Sequence, residues 1–127
     1  MQDHAPVVAI VDDEPGVRRA LGRLLELAGY EARPFASGGE FMDNLGDIDL
    51  VILDLHMPGM SGAEVQRALA LRDSPIPVVV LTGNDTPANR ARSLADGARA
   101  FLTKPVYGEE LLQALQRSLA QAGSTTN

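Results

Sequence analysis

Val51, Ile52 and Leu53 run without a polar interruption into Asp54, and the chain then breaks at Pro58, Gly59 and Gly62. An unbroken apolar run bounded by turn residues is a strand covered on both faces, the habit of parallel sheets packed between helices. Asp54 therefore falls where a central strand stops and a loop begins. In open parallel α/β sheets that carboxyl edge is where ligands bind. A single acid at a strand end is ordinary turn chemistry, but three other strand ends of this chain carry polar residues of a matching kind.

The apolar run Val7–Val11 reads as a first strand, closed by Asp12, Asp13 and Glu14. Pro15 suits the first turn of a helix, and the acids suit its N-terminal dipole. Val17, Leu21, Leu24, Leu25 and Ala28 recur at helical spacing with Arg18, Arg19 and Arg23 off that stripe, and Gly29 is placed to end the helix. Residues 30–35 form a second, weaker strand. Ser37 or Gly38 opens a short helix carrying Phe41, Met42 and Leu45. The third strand is residues 50–54. Ser61 with Glu64 three residues on is a capping box, and Val65, Ala68 and Leu69 give its helix an apolar face. Ser74, Pro75, Ile76 and Pro77 form a connector. Residues 78–81 make a fourth strand, ended by Thr82 and Gly83. Thr86 and Pro87 begin a helix through Ala91, Leu94 and Ala95, stopped by Asp96 and Gly97. Residues 98–103 are a fifth short strand, ended by Lys104 and Pro105. Leu111, Leu112, Leu115 and Leu119 mark the last amphipathic helix.

Five strand-then-helix units imply an α/β fold: a five-stranded parallel sheet with helices on both faces, because crossovers are right-handed almost without exception. The flavodoxin-like order 2-1-3-4-5 brings the ends of strands one, three, four and five to one pocket. A chain of 127 residues fits one domain. Residues 1–121 are expected to form it, and residues 122–127 a flexible tail or the start of a linker.

The polar residues gathered at that edge are Asp12, Asp13, Asp54, Thr82 and Lys104. Three carboxylates in one pocket repel and call for a cation, and a hard oxygen site without His or Cys points to Mg²⁺. Lys104 supplies a point positive charge and Thr82 a hydroxyl donor. Metal, ammonium and hydroxyl are the set that neutralises a transferring phosphoryl group. An Asp carboxylate can itself be the nucleophile, giving an acyl phosphate. No glycine-rich phosphate loop is present, which argues against a stored nucleotide. Taken singly, each residue has a plainer reading. Asp12 and Asp13 are then helix-start acids, Thr82 a strand end, Lys104 a turn residue and Phe101 core. Five polar positions of the right sign at four strand ends argue against coincidence.

Composition closes off other chemistries. The chain has no cysteine, so thiol nucleophiles and disulfides are excluded, and its two histidines, His4 and His56, cannot by themselves build a zinc site. It has no apolar stretch of the roughly 20 residues that a membrane span needs, and no basic-then-apolar leader. A cytoplasmic protein with no membrane partner is expected. The net charge is −6, and the basic residues are mostly Arg spread over helices. Direct DNA binding by this chain is therefore not expected.

On these residues the chain resembles a two-component response-regulator receiver domain over nearly its whole length. The matching elements are Val11 to Glu14; Asp54 with Met57, Pro58, Gly59, Met60, Ser61 and Gly62; Leu81, Thr82 and Gly83; and Lys104 with Pro105. The run from Asp54 to Gly62 particularly resembles receivers of the nitrogen-fixation regulator type, which are joined to a helix-turn-helix output domain. The resemblance implies that Asp54 accepts a phosphoryl group from a sensor histidine kinase or phosphotransfer protein. It implies that Asp13, Asp54 and the main-chain carbonyl of His56 bind Mg²⁺, with Asp12 acting largely through water. Thr82 and Lys104 would hold the phosphoryl oxygens, Phe101 matches the family's switch aromatic, and a cis peptide would precede Pro105. His56 lies beside the expected path of a hydrolytic water, and Asn84 occupies a second position that tunes phosphate lifetime.

The expected function is a phosphorylation-dependent signalling switch, with self-phosphorylation and self-dephosphorylation chemistry only, serving transcription regulation. Phosphate at Asp54 would draw Thr82 inward and let Phe101 turn in behind it. The helix after Thr86 and the last helix would then offer a homodimer or partner surface. No helix-turn-helix sequence follows residue 121, and the Gly-Ser-Thr-Thr tail reads as a linker start. Two rivals remain at this point. An aspartyl-nucleophile phosphatase would often carry a second Asp where His56 stands. A phosphate-independent receiver-like binding module would have no need of the intact Asp13, Asp54, Thr82 and Lys104 set.

Overall fold

The computed structural model describes residues 5–72 and 76–124. The expected connector residues Ser74 and Pro75, His4, and residues 125–127 of the expected tail lie outside them. Five strands, β1 (Val7–Val11), β2 (Glu31–Phe35), β3 (Leu50–Leu53), β4 (Val78–Thr82) and β5 (Ala100–Thr103), alternate with five helices. The helices are α1 (Pro15–Leu27), α2 (Gly38–Met42), α3 (Gly62–Ala70), α4 (Pro87–Ala95) and α5 (Gly108–Ser124). The sheet is parallel throughout, in the order β2-β1-β3-β4-β5. That is the flavodoxin-like order expected from the sequence.

The inner strands β1, β3 and β4 are apolar without alternation because both their faces are covered. Val7, Ala9, Val11, Val51, Leu53, Val78 and Val80 pack on one side with Phe41 of α2 and Val65 and Leu69 of α3. Val8, Ile10, Leu50, Ile52, Val79 and Leu81 pack on the other with Leu21 and Leu25 of α1 and Leu111 and Leu115 of α5. β1, β3 and β4 thus send alternate residues into two separate cores.

Three helix starts carry the caps their sequences announce. Ser61 and Glu64 form the capping box at α3. Thr86 accepts from the Asn89 amide at α4, and Ser37 from the Glu40 amide at α2. Two strands start later than their apolar pattern suggests, for one shared reason. At the end of α1, Gly29 N–H bonds Glu26 O and Tyr30 N–H bonds Leu25 O; at the end of α4, Gly97 N–H bonds Leu94 O and Ala98 N–H bonds Ser93 O. These are paired Schellman closures around a glycine of positive φ. Tyr30 and Ala98 are spent closing helices, so β2 begins at Glu31 and β5 at Ala100. Leu45 is not in α2, which ends at Met42. It packs against the core from the following turn, where its carbonyl accepts from Ile48 N. In α4 the buried residue is Ser93, while Leu94 is 47% exposed and Ala91 and Ala95 face outward. At the other end of the chain α5 runs through Ser124, into the segment expected as a tail or linker start.

Candidate phosphoryl-acceptor site

The carboxyl edge of the sheet positions the site. Asp12 follows β1 and Asp54 follows β3; both are buried, at 3% and 5% exposure. Asp54 N–H is the next rung of the ladder, donating to Val11 O at 3.0 Å, so the two acids are held side by side by strand pairing. Thr82 ends β4 and is fully buried. Lys104 follows β5, and its amide donates to Thr82 O at 2.9 Å. The peptide between Lys104 and Pro105 is cis, as the resemblance implied.

The loop after Asp54 is shaped by its glycines. A Cβ on Gly62 would collide with the Asp54 carbonyl and the Leu55 Cα, and Gly62 N–H donates to Leu55 O at 3.1 Å. Gly59 has a φ of 76°, a conformation that suits glycine. The Pro-Gly-Met-Ser-Gly segment therefore folds the start of α3 directly against the back of Asp54.

One ammonium organises the acids. Lys104 Nζ donates to Asp12 Oδ2 at 2.8 Å, to Asp54 Oδ2 at 3.2 Å and to Glu14 Oε1 at 3.3 Å. Burial by itself pushes the Lys104 ammonium down. The Asp12 hydrogen bond and the charges of Asp54 and Asp12 outweigh it, and the ammonium is held well above its ordinary value. The remaining oxygens of the two buried acids are met by the main chain, Asp12 Oδ1 by Glu14 N–H at 2.9 Å and Asp54 Oδ1 by His56 N–H at 3.2 Å. Arg18 donates to the Asp12 carbonyl at 2.7 Å.

Asp12, Asp13 and Asp54 each place a carboxylate oxygen within 4.8 Å of the others. Asp13 is exposed and accepts from no group of the described residues. Three carboxylates, Asp12, Glu14 and Asp54, thus share one ammonium with Asp13 beside them, and the excess is negative, hard and oxygen-only. That donor set fits a divalent cation of the Mg²⁺ type and not a soft metal. The His56 ring is not part of the cluster. It turns across the mouth of the pocket to Asn84, whose Nδ2 donates to Nε2 at 2.6 Å. Asn84 N–H donates in turn to Thr82 Oγ1 at 3.3 Å, and its carbonyl accepts from Asn89 Nδ2 of α4 at 3.0 Å. Asp13, Glu14, Asp54, His56, Thr82, Gly83, Asn84 and Lys104 line one open depression.

Phe101 lies outside that depression. It pairs in register with Val80, is 6% exposed, and has the Arg90 guanidinium 4.7 Å above its ring. The ring is thus turned inward in this structure. Arg90 is steered by Asp85, which accepts from Arg90 at 3.2 Å and from the Thr103 hydroxyl at 2.6 Å. Those bonds, Thr103 first, hold the Asp85 carboxyl below its ordinary value. Sequence reasoning missed Glu14 as a partner of Lys104, because a third acid after β1 looks like helix-start chemistry. It missed Arg90 and Asp85 because nothing local distinguishes them from solvated charges.

A doubly wound parallel sheet with paired acids, a hydroxyl and a lysine at its carboxyl edge defines the receiver class of signalling domain. The chain belongs to the response regulator receiver domain family, whose model matches residues 8–116. It is 39% identical over 121 residues to the transcriptional regulatory protein YkoG of Bacillus subtilis, covering 94% of this chain and 53% of that one. It is similar in structure to the chemotaxis protein CheY4 of Vibrio cholerae, at 32% identity and a TM-score of 0.82 over 90% of this chain and 98% of that one. It is also similar to the solved FixJ-N, at 33% identity and a TM-score of 0.83 over 94% of this chain and 96% of that one. The chain spans about half the length of the first curated relatives it matches. Among the described residues no helix is long and apolar enough to cross a membrane.

Proposed function

We propose that Asp54 is the phosphoacceptor of this receiver and that Asp12, Asp13, Thr82, Lys104 and the main chain of His56 serve the transfer. The observation that carries this reading is the Lys104 ammonium joined to both buried acids at the end of the sheet, with Thr82 beside it. An Asp54 oxygen attacks the phosphorus of a phosphohistidine, the P–N bond breaks, and its electron pair leaves with the imidazole. Lys104 exchanges the Asp54 carboxylate for a phosphoryl oxygen, and the Thr82 hydroxyl donates to another. Asp12, Asp13, Asp54 and the His56 carbonyl would hold Mg²⁺, which when bound neutralises phosphoryl charge. The donor is a sensor histidine kinase or phosphotransfer protein, and no separate substrate is turned over. The setting is cytoplasmic, and the output is regulation of transcription, in keeping with the names of the relatives. The chain alone gives no direct DNA contact. The direct test is intact-mass analysis after acetyl phosphate with Mg²⁺, in which one added phosphoryl group is expected.

His56 and Asn84 close the side of the pocket from which water approaches. His56→Ala and Asn84→Ala each open that side. A hydrogen bond worth about 0.5–1.5 kcal/mol corresponds to about a 2- to 12-fold change in the hydrolysis rate of the acyl phosphate. The yield of phosphorylated protein after brief exposure to the donor should stay the same. Decay unchanged in both variants would remove the pair from the mechanism.

Phosphorylation reaches the partner surface through Thr82 and the β4–α4 loop. Asn84 and Asn89 tie that loop to Thr82 and to the start of α4, and Leu94 and Ala91 present an apolar outer face there. A phosphoryl oxygen bonded to Thr82 favours one arrangement of this loop, which is the differential affinity a population shift needs. The phosphorylated chain is expected to form a homodimer in sedimentation. Thr82→Ala should still take up phosphate and show a weaker gain in association. Equal association of the two phosphorylated proteins would exclude Thr82 from the coupling.

A further inference from the structure

His56 and Asn84 line two spaces at once. One is the open depression that holds Asp54 and Thr82. The other is a smaller cavity of about 110 Å³ between the start of α3 and α4, lined also by Leu55, Ser61, Asn89 and Arg92. A space of that size has room for water, and Ser61, Asn89 and Arg92 give it polar walls. The partition between the two is the 2.6 Å bond from Asn84 Nδ2 to His56 Nε2. Asn84 is aimed at His56 by two anchors on its own main chain. Its N–H donates to Thr82 Oγ1 at 3.3 Å, and its carbonyl accepts from Asn89 Nδ2 at 3.0 Å. The Thr82 anchor is the longer one, and it uses the hydroxyl that the proposed transfer commits to the phosphoryl group. The Asn89 anchor makes no use of that hydroxyl. Asn89 is itself fixed in the first turn of α4, where its N–H donates to Thr86 Oγ1 at 3.1 Å.

We propose that Asn89 is a positioning residue for hydrolysis of the acyl phosphate: through its bond to the Asn84 carbonyl it keeps Asn84 against His56, and the water of the cavity away from Asp54. The proposal rests on Asp54 being the phosphoacceptor. In hydrolysis a water oxygen bonds to phosphorus and the bond from phosphorus to the Asp54 oxygen breaks. The electron pair returns to the carboxylate, the water's proton passes to solvent, and inorganic phosphate leaves. Asn89 touches none of these atoms. It acts by holding the partition in place while Thr82 is drawn to the phosphoryl group.

Asn89→Ala removes this one bond and keeps the main-chain amide that meets Thr86 at the start of α4. The parent chain, Asn89→Ala, Asn84→Ala and the double variant are phosphorylated with acetyl phosphate and Mg²⁺, freed of donor, and followed by intact mass. Decay is expected to be about threefold faster in Asn89→Ala than in the parent, within the range of one neutral hydrogen bond. The double variant should decay at the rate of Asn84→Ala, because there Asn89 has no partition left to hold. Any loss of melting temperature from Asn89→Ala should instead be the same in both backgrounds, which separates positioning from folding. In NMR of the unphosphorylated chain, the Asn84 side-chain amide resonance should move in Asn89→Ala toward its position in His56→Ala. Equal decay in the parent and Asn89→Ala, the same acceleration in both backgrounds, or an unmoved Asn84 resonance would overturn the proposal and leave Asp54 as the acceptor. A parent chain that gains no phosphoryl group would overturn the Asp54 reading, and this proposal with it.

Discussion

Asp54→Ala is expected to gain no phosphoryl group from acetyl phosphate and Mg²⁺, and the parent chain to gain one, by intact-mass analysis. The loss is expected to be complete because no neighbouring acid can take over. Asp12 is the more buried of the pair and, unlike Asp54, does not line the open depression. Asp13 is exposed, outside the reach of Lys104 and of the His56 amide, and so lacks the frame that stabilises a transferring phosphoryl group. Asp54 alone combines an oxygen bound to Lys104, an oxygen bound to a main-chain amide, and a place in the lining of the depression with Thr82. Asp54→Asn should behave in the same way, which separates loss of the nucleophile from loss of a side chain. Phosphate found on Asp13 in either variant would show that the pocket, rather than Asp54, directs the chemistry.

Much of this arrangement is legible before any coordinates, and the reason is physical. A strand buried on both faces has no freedom to alternate, so β1, β3 and β4 stand out as apolar blocks, and the residue that ends each block is placed by the sheet itself. Capping residues are equally local: Ser61 with Glu64 and Thr86 with Pro87 mark helix starts within one turn. Motif resemblance supplied what local rules cannot, the cis peptide before Pro105. What stayed hidden depends on pairing across distance. Tyr30 and Ala98 look like strand residues, but their amides close the preceding helices. Ser93 and Gln66 carry no apolar signal, yet each is buried where the Gln66–Ser93 hydrogen bond joins α3 and α4. The apolar residues Leu94 and Ala91 consequently face outward. The Arg90 guanidinium that covers Phe101 is equally invisible locally, because it lies eleven residues earlier and on another element.

The second large effect concerns the charge balance at Lys104. Lys104→Met keeps a long apolar stem and removes the ammonium, leaving Asp12 and Asp54 buried without their cation. Breaking a buried ion pair from one side costs about 3–5 kcal/mol. The Lys104 side chain is 19% exposed against 4% and 6% for the two acids, which places the pair toward the weaker end. A metal-free loss of about 3 kcal/mol follows, roughly 10 °C in melting temperature for a domain of this size. The ammonium's pKa is raised on folding, so its contribution is fully present below the unfolded lysine value of about 10.4 and is lost only as pH rises through the still higher folded value. The difference between parent and variant should therefore be equal at about pH 7 and about pH 9, both below that unfolded value. Mg²⁺ should then act as a substitute. Ligand at a hundred times its dissociation constant contributes about 2.7 kcal/mol, and the gain should be larger in Lys104→Met, where no ammonium competes for the acids. Asp13→Asn moves the opposite way, since removing one repelling carboxylate raises the metal-free melting temperature and shrinks the response to Mg²⁺. Thermal unfolding of the three proteins with and without MgCl₂ reads all of these at once. Equal Mg²⁺ shifts in all three would mean that the acids around Lys104 do not form the metal site.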